Sequence, residues 1–105
     1  MSRIPKRVVE AVHDRANGHC EACGWPLHGA AALHHRLPRS GGGKDETANL
    51  MLLHGGYDVN CHNLSEHSVH QNPARSYRLG HLVRRGTDPA TVPVIVDPGM
   101  WRRTA

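Results

Sequence analysis

Cys20-Glu-Ala-Cys23 opens, and His54-x6-Cys61 closes roughly thirty residues later, a set of three thiols and one imidazole that uses every cysteine in the chain. Three thiolates and a neutral imidazole are a tetrahedral donor set that structural Zn²⁺ prefers, so the spacing predicts a Cys3His zinc knuckle. The core gives the chain reason to need one. Only 38% of the 105 residues are hydrophobic, with no Phe, two Trp and two Tyr. A structural zinc can add on the order of 10 kcal/mol of apparent binding free energy to folding.

Between the two halves of the knuckle runs Leu33-His34-His35-Arg36-Leu37-Pro38-Arg39-Ser40-Gly-Gly-Gly, followed by Asn49-Leu-Met-Leu-Leu, and the knuckle's last cysteine leads into His62. This order resembles the HNH endonuclease family, in which an acidic residue or His followed by His ends one strand. There an Asn lies in the crossing loop and a final His begins a helix. The resemblance covers most of residues 18–73. It implies that His34 is a ligand of a catalytic divalent cation (Mg²⁺, Mn²⁺, Ni²⁺ or Zn²⁺) and that His35 is the general base that deprotonates water. Asn49 would orient His35, and His62 would be the second ligand. An imidazole suits the base role because its ordinary pKa of about 6.5 lets it take a proton near neutrality. Arg36 and Arg39, beside the histidine pair, are candidate phosphate contacts.

The chain departs from the family pattern in three places. His54 stands where the four-cysteine knuckle has a Cys, a replacement zinc accepts. Small relatives place a second His four residues after the final one, and here that position is Glu66. Val69-His70-Gln-Asn-Pro73 looks like the displaced stretch, as though one helical turn had been inserted. A turn of four residues moves His70 about 6 Å along a helix axis. Glu66 and His70 are therefore both candidate third ligands, with Glu66 the better placed on a continuous helix and its carboxylate favouring a hard ion. Finally, residues 80–94 resemble the tails of small HNH proteins of bacteriophages, which implies a freestanding nuclease of that type working near phage packaging proteins, in the cytoplasm of a bacterial host.

The elements that must position these groups are short, since 11 Gly and 7 Pro punctuate the chain. Pro5 and the stripe Val8, Val9, Val12 and Ala16 predict a first helix over 5–16, stopped by Asn17-Gly18. Trp25–Leu27 and Ala31–Leu37 read as two strands of a hairpin turning at His28-Gly29. Leu50–Leu53 is a short buried run. A helix is expected from Cys61 to Gln71, with Pro73 kinking it or opening a second turn to Leu79. Residues 81–84 and 92–96 are β-prone. The fold class expected is α+β, a small ββα-metal (His-Me finger) domain stapled by the knuckle. It is read as one domain: an N-terminal helix over 5–17, the knuckle and catalytic core over 18–73, and an extension over 74–105.

Charge completes the reading. Lys and Arg outnumber Asp and Glu by 13 to 9, a formal net charge of +4, which favours a polyanionic partner. An odd number of cysteines and the absence of a secretory pattern at the start point to a reducing cytosol rather than a disulfide scaffold. The expected activity is hydrolysis of DNA phosphodiester bonds, leaving a 5′-phosphate and a 3′-hydroxyl, by nicking or weakly specific cutting, because no helix-turn-helix or finger array offers base readout. The alternative is a non-catalytic zinc-binding module that grips nucleic acid. Composition says nothing of oligomeric state.

Overall fold

The computed structural model describes residues 3–57 and 59–100, so the last five residues of the expected extension lie outside it. Helix α1 (Lys6–Ala16) buries Val8, Val12 and Ala16 along one side and ends on Asn17 in the left-handed conformation. Among the described residues there is one two-stranded antiparallel sheet, strand β1 (Ala31–His35) paired with strand β2 (Leu50–His54). Helix α2 (Pro73–Leu79) starts on its proline, and its capping Gly80 has φ +77°. A Cβ on Gly80 would lie 2.1 Å from the Pro93 carbonyl oxygen, so the position accepts only glycine.

Strand β2 is buried along its whole length, which explains an apolar run with no polar alternation. Its side chains serve two cores. Leu50 and Leu52 pack with the α1 stripe, while Met51 and Leu53 pack with the three cysteines, Val69, Leu82 and Met100. The period of two along a strand divides one tetrapeptide between two clusters. Each fully buried Leu or Met contributes about 1.5–3 kcal/mol of burial free energy.

The hairpin differs from the sequence expectation. Trp25–Leu27 is not the first strand. Cys20 N–H donates to Trp25 O and Leu27 N–H to Gly18 O, so this stretch closes the knuckle's own turn. The strand paired with β1 is the apolar run after the glycine loop. The helix expected over 61–71 is also absent. Asn60 Oδ1 accepts from the backbone N–H groups of His62, Asn63 and Leu64, and Ser65 Oγ donates to Asn60 O. Short polar side chains compete here for the backbone groups a helix would need. Val69 N–H then donates to Cys61 O and His70 N–H to His62 O, folding residues 62–70 into a closed excursion. Residues 81–84 and 92–96 form no strand. They cross the molecule as extended chain and turns, with a single 3₁₀ turn at Pro89–Thr91 between them.

Arg36 holds these segments together. It is 3% exposed, and its guanidinium donates to the carbonyl oxygens of Gly80, Ala48, Pro89 and Val92. Burial, and then the charge of Arg15, pull its pKa below the ordinary value. These four hydrogen bonds point into the fold, so Arg36 acts as a structural cross-link rather than the phosphate contact expected from the sequence. Arg36→Ala should lower the unfolding free energy of the zinc-loaded protein by about 3 kcal/mol or more, since it orphans buried carbonyls. Arg36→Lys should cost nearly as much, because one ammonium cannot span four acceptors. Urea unfolding at pH 7 measures both, and a loss below about 0.5 kcal/mol for either would refute the role.

Candidate metal centres and catalytic cleft

Two clusters of metal-ligating side chains emerge from this frame. In the first, Cys20, Cys23, His54 and Cys61 are all buried, with their ligand atoms within 4.8 Å of one another. His54 Nδ1 lies 3.6 Å from Cys23 Sγ and 3.5 Å from Cys61 Sγ. The edge of a tetrahedron with Zn–S near 2.3 Å and Zn–N near 2.05 Å is about 3.6 Å, so these side chains fit zinc. The other nitrogen, His54 Nε2, donates to Pro26 O at 3.0 Å, which fixes the tautomer that leaves Nδ1 free. Hydrogen bonds from Cys23 and Cys61 push the Cys20 thiol down, while the same contact pushes Cys23 up to about 11 and Cys61 also upward. Mutual hydrogen bonding thus favours ionisation of one thiol and opposes that of the other two, an opposition a bound cation would relieve.

The knuckle is sewn to the free edge of β2. Glu21 N–H donates to Leu52 O at 2.9 Å, and the Glu21 carboxylate accepts from Leu52 N–H at 3.0 Å. Arg15 of α1 clamps that carboxylate with two bonds, at 2.6 and 2.8 Å. Helix, knuckle and sheet thus meet at one carboxylate.

The second cluster is His34, His62 and His70, whose ligand atoms also lie within 4.8 Å of one another. The ring centroids are 5.3 Å apart for His34 and His62, 5.0 Å for His34 and His70, and 4.9 Å for His62 and His70. His34 projects from β1, opposite Met51, and is 1% exposed. Its Nε2 donates to His81 O at 2.7 Å, leaving the Nδ1 lone pair for a cation. Burial, reinforced by the neighbouring imidazoles, lowers its pKa to about 3, and burial likewise lowers that of His62. Both are neutral bases at pH 7, the form in which imidazole ligates metal.

His70 joins this group and Glu66 does not. The physical reason is the closed excursion. With His70 N–H bonded to His62 O, the backbone brings His70 beside His62 without a helix, while Glu66 sits exposed on the outer turn. The helical-rise argument that favoured Glu66 fails because residues 61–71 are not helical.

His34, His35, Arg39, His62 and His70 line one shallow cleft of about 260 Å³ with Leu33 and Pro38. His35 is half-buried at the end of β1, and its Nε2 lies 2.7 Å from Asp45 Oδ1. Arg39 closes on the same carboxylate through Nε and Nη2, at 3.0 to 3.1 Å. The His35 hydrogen bond, followed by Arg39, holds the Asp45 carboxyl below its usual range. Asn49, 1% exposed, accepts from Leu37 N–H and donates to Leu37 O and Lys44 O. It therefore acts on the loop backbone, and it is Asp45, one residue beyond Lys44, that meets the His35 ring. Gly43 lets this loop close, since a Cβ there would lie 1.7 Å from Leu37 O.

Residues 20–68 match the HNH endonuclease family. Over that segment, just under half of the chain, the sequence is similar to an HNH domain. That match spans both halves of the knuckle, the His34-His35 pair, Asn49 and His62, and it supports a nuclease-type or nucleic-acid-related function with metal binding. No curated protein matches the chain. The fold around the HNH residues is the expected α+β arrangement, two antiparallel strands with helices and a buried Cys3His group able to hold zinc. Sequence reasoning missed two parts of this HNH site. Asp45 stood in a loop read only for its glycines, although a carboxylate between Gly-Gly-Gly-Lys and Glu is a usable signal. His81, whose carbonyl orients His34, left no signal short of the tertiary structure. Among the described residues no helix is long and apolar enough to cross a membrane.

Proposed function

We propose that the protein is a metal-dependent DNA endonuclease in which His34, His62 and His70 would hold one divalent cation and His35 is the general base. The observation that carries this reading is the meeting of three clustered imidazoles and a fourth, carboxylate-bonded one in a single cleft. A bound cation supplies Lewis-acid stabilisation of charge on the phosphoryl and leaving oxygens. The chain's own residues do the rest. His35, donating from Nε2 to Asp45, turns an unprotonated Nδ1 outward to accept a proton from water. Arg39 has a side chain 40% exposed at the cleft rim and is the candidate phosphate contact. Hydrolysis then leaves a 5′-phosphate and a 3′-hydroxyl. A shallow cleft on a basic chain fits nicking with weak sequence preference, and the tail's likeness to phage HNH proteins supports work on phage DNA beside packaging proteins.

Three nitrogen ligands without a carboxylate favour Ni²⁺ or Zn²⁺ over the harder Mg²⁺, the reverse of the preference that Glu66 would have set. Nicking of supercoiled plasmid by zinc-loaded protein, with each cation added in turn or with EDTA, tests the proposal. The expected result is cutting with Ni²⁺ or Mn²⁺, weaker cutting with Mg²⁺, and none with EDTA. Binding of DNA without cutting under every cation would instead make the protein a zinc-stapled nucleic-acid-binding module.

A further inference from the structure

We propose that Asp45 is a positioning residue for His35, fixing its tautomer through a carboxylate that Arg39 locks in place. The inference rests on the nuclease reading for its consequence, and on geometry for its substance. The Asp45 carboxylate is an acceptor only, so an imidazole nitrogen 2.7 Å from Oδ1 must carry the proton. That nitrogen is Nε2, and the lone pair is therefore on Nδ1, the atom left to take a proton from water. The carboxylate is itself held. Arg39 Nη2 bonds both oxygens at 3.0 Å and Nε bonds Oδ1 at 3.1 Å, so rotation away from His35 would break the fork.

The loop that delivers Asp45 is fixed from beneath. Asn49 Nδ2 binds Lys44 O at 3.0 Å and its Oδ1 takes Leu37 N–H, tying both ends of the glycine loop to one buried amide. Asn49 thus reaches His35 through Lys44 and Asp45. An imidazole with no partner samples both tautomers, and only one presents the correct nitrogen to the cleft. A fixed carboxylate removes that loss and stabilises the imidazolium formed when the proton arrives. Asp45 bonds His35 and Arg39 and none of His34, His62 and His70, so its loss removes no contact of the three-histidine cluster.

Nitrogen-15 spectra of the histidine-labelled, zinc-loaded protein at pH 7.5 read the tautomer directly. Wild type and Asp45→Asn, which keeps the acceptor oxygen, should show His35 protonated on Nε2 alone, and Asp45→Ala a mixture. Plasmid nicking with Mn²⁺ should fall about 10- to 100-fold in Asp45→Ala, with much of the loss recovered in Asp45→Asn and with Mn²⁺ affinity unchanged. A His35 protonated on Nδ1 in the wild type overturns the proposal, and that spectrum requires no variant to fold. So does a tautomer unaltered in a folded Asp45→Ala. If the wild type fails to cut while the spectra behave as expected, the nuclease reading fails alone and the positioning contact stands.

Discussion

His35→Ala is expected to reduce DNA cleavage by about 10²- to 10⁴-fold, the range a general base contributes, while zinc content and DNA affinity stay at wild-type values. His35 lies in the cleft beside the three-histidine cluster but outside it, with Nε2 spent on Asp45, so its removal takes away the proposed proton acceptor and no member of the cluster. His34→Ala should behave differently. It removes a proposed ligand whose orientation is fixed by His81 O, and the cation concentration needed for half-maximal cutting should rise. Single-turnover rates on plasmid across a titration of Mn²⁺ separate the two, one lowering the plateau and the other shifting the midpoint. A His35→Ala protein that cuts at the wild-type plateau rate would remove His35 from the base role.

Loss of the knuckle should have a still larger physical effect. Cys61→Ser, or extraction of zinc by a strong chelator, is expected to abolish the cooperative unfolding transition. Structural zinc is worth on the order of 10 kcal/mol, and a domain of this size has a net stability of about 5–15 kcal/mol. Few apolar side chains stand ready to compensate. Met51, Leu53, Val69, Leu82 and Met100 pack around the cysteines themselves, so losing the cation loosens the centre of the larger core. Thermal melts by circular dichroism, with zinc release followed by a chromophoric chelator, should show both changes at the same chelator concentration. A sharp melt near the wild-type midpoint in zinc-free protein would show that packing alone holds the fold.

The parts of this architecture that could be read from sequence are those encoded by local type and spacing. The Cys3His group needs only four donors in order, and α1 needs only its apolar stripe and the Asn17-Gly18 stop. What could not be read depends on competition between partners. Trp25–Leu27 has strand-like composition, yet its backbone is claimed by Gly18 and Cys20. Residues 61–71 have helical spacing of histidines, yet Asn60 and Ser65 draw the backbone groups into turns, and that reversal moved the third position of the histidine cluster from Glu66 to His70. Arg36 looked like a surface cation because its four carbonyl partners come from segments distant in sequence.

The bond from His34 Nε2 to His81 O reaches beyond the matched segment, and His81 is anchored in turn by its own Nε2 on Ile95 O at 2.7 Å. A histidine in the middle of the motif is thus aimed by chain that lies after it. The portable unit is consequently longer than its signature: a fragment cut at residue 68 and grafted onto another protein would lack His70 and would leave His34 free to turn, whereas a graft carried through Ile95 would bring the aiming contacts with it.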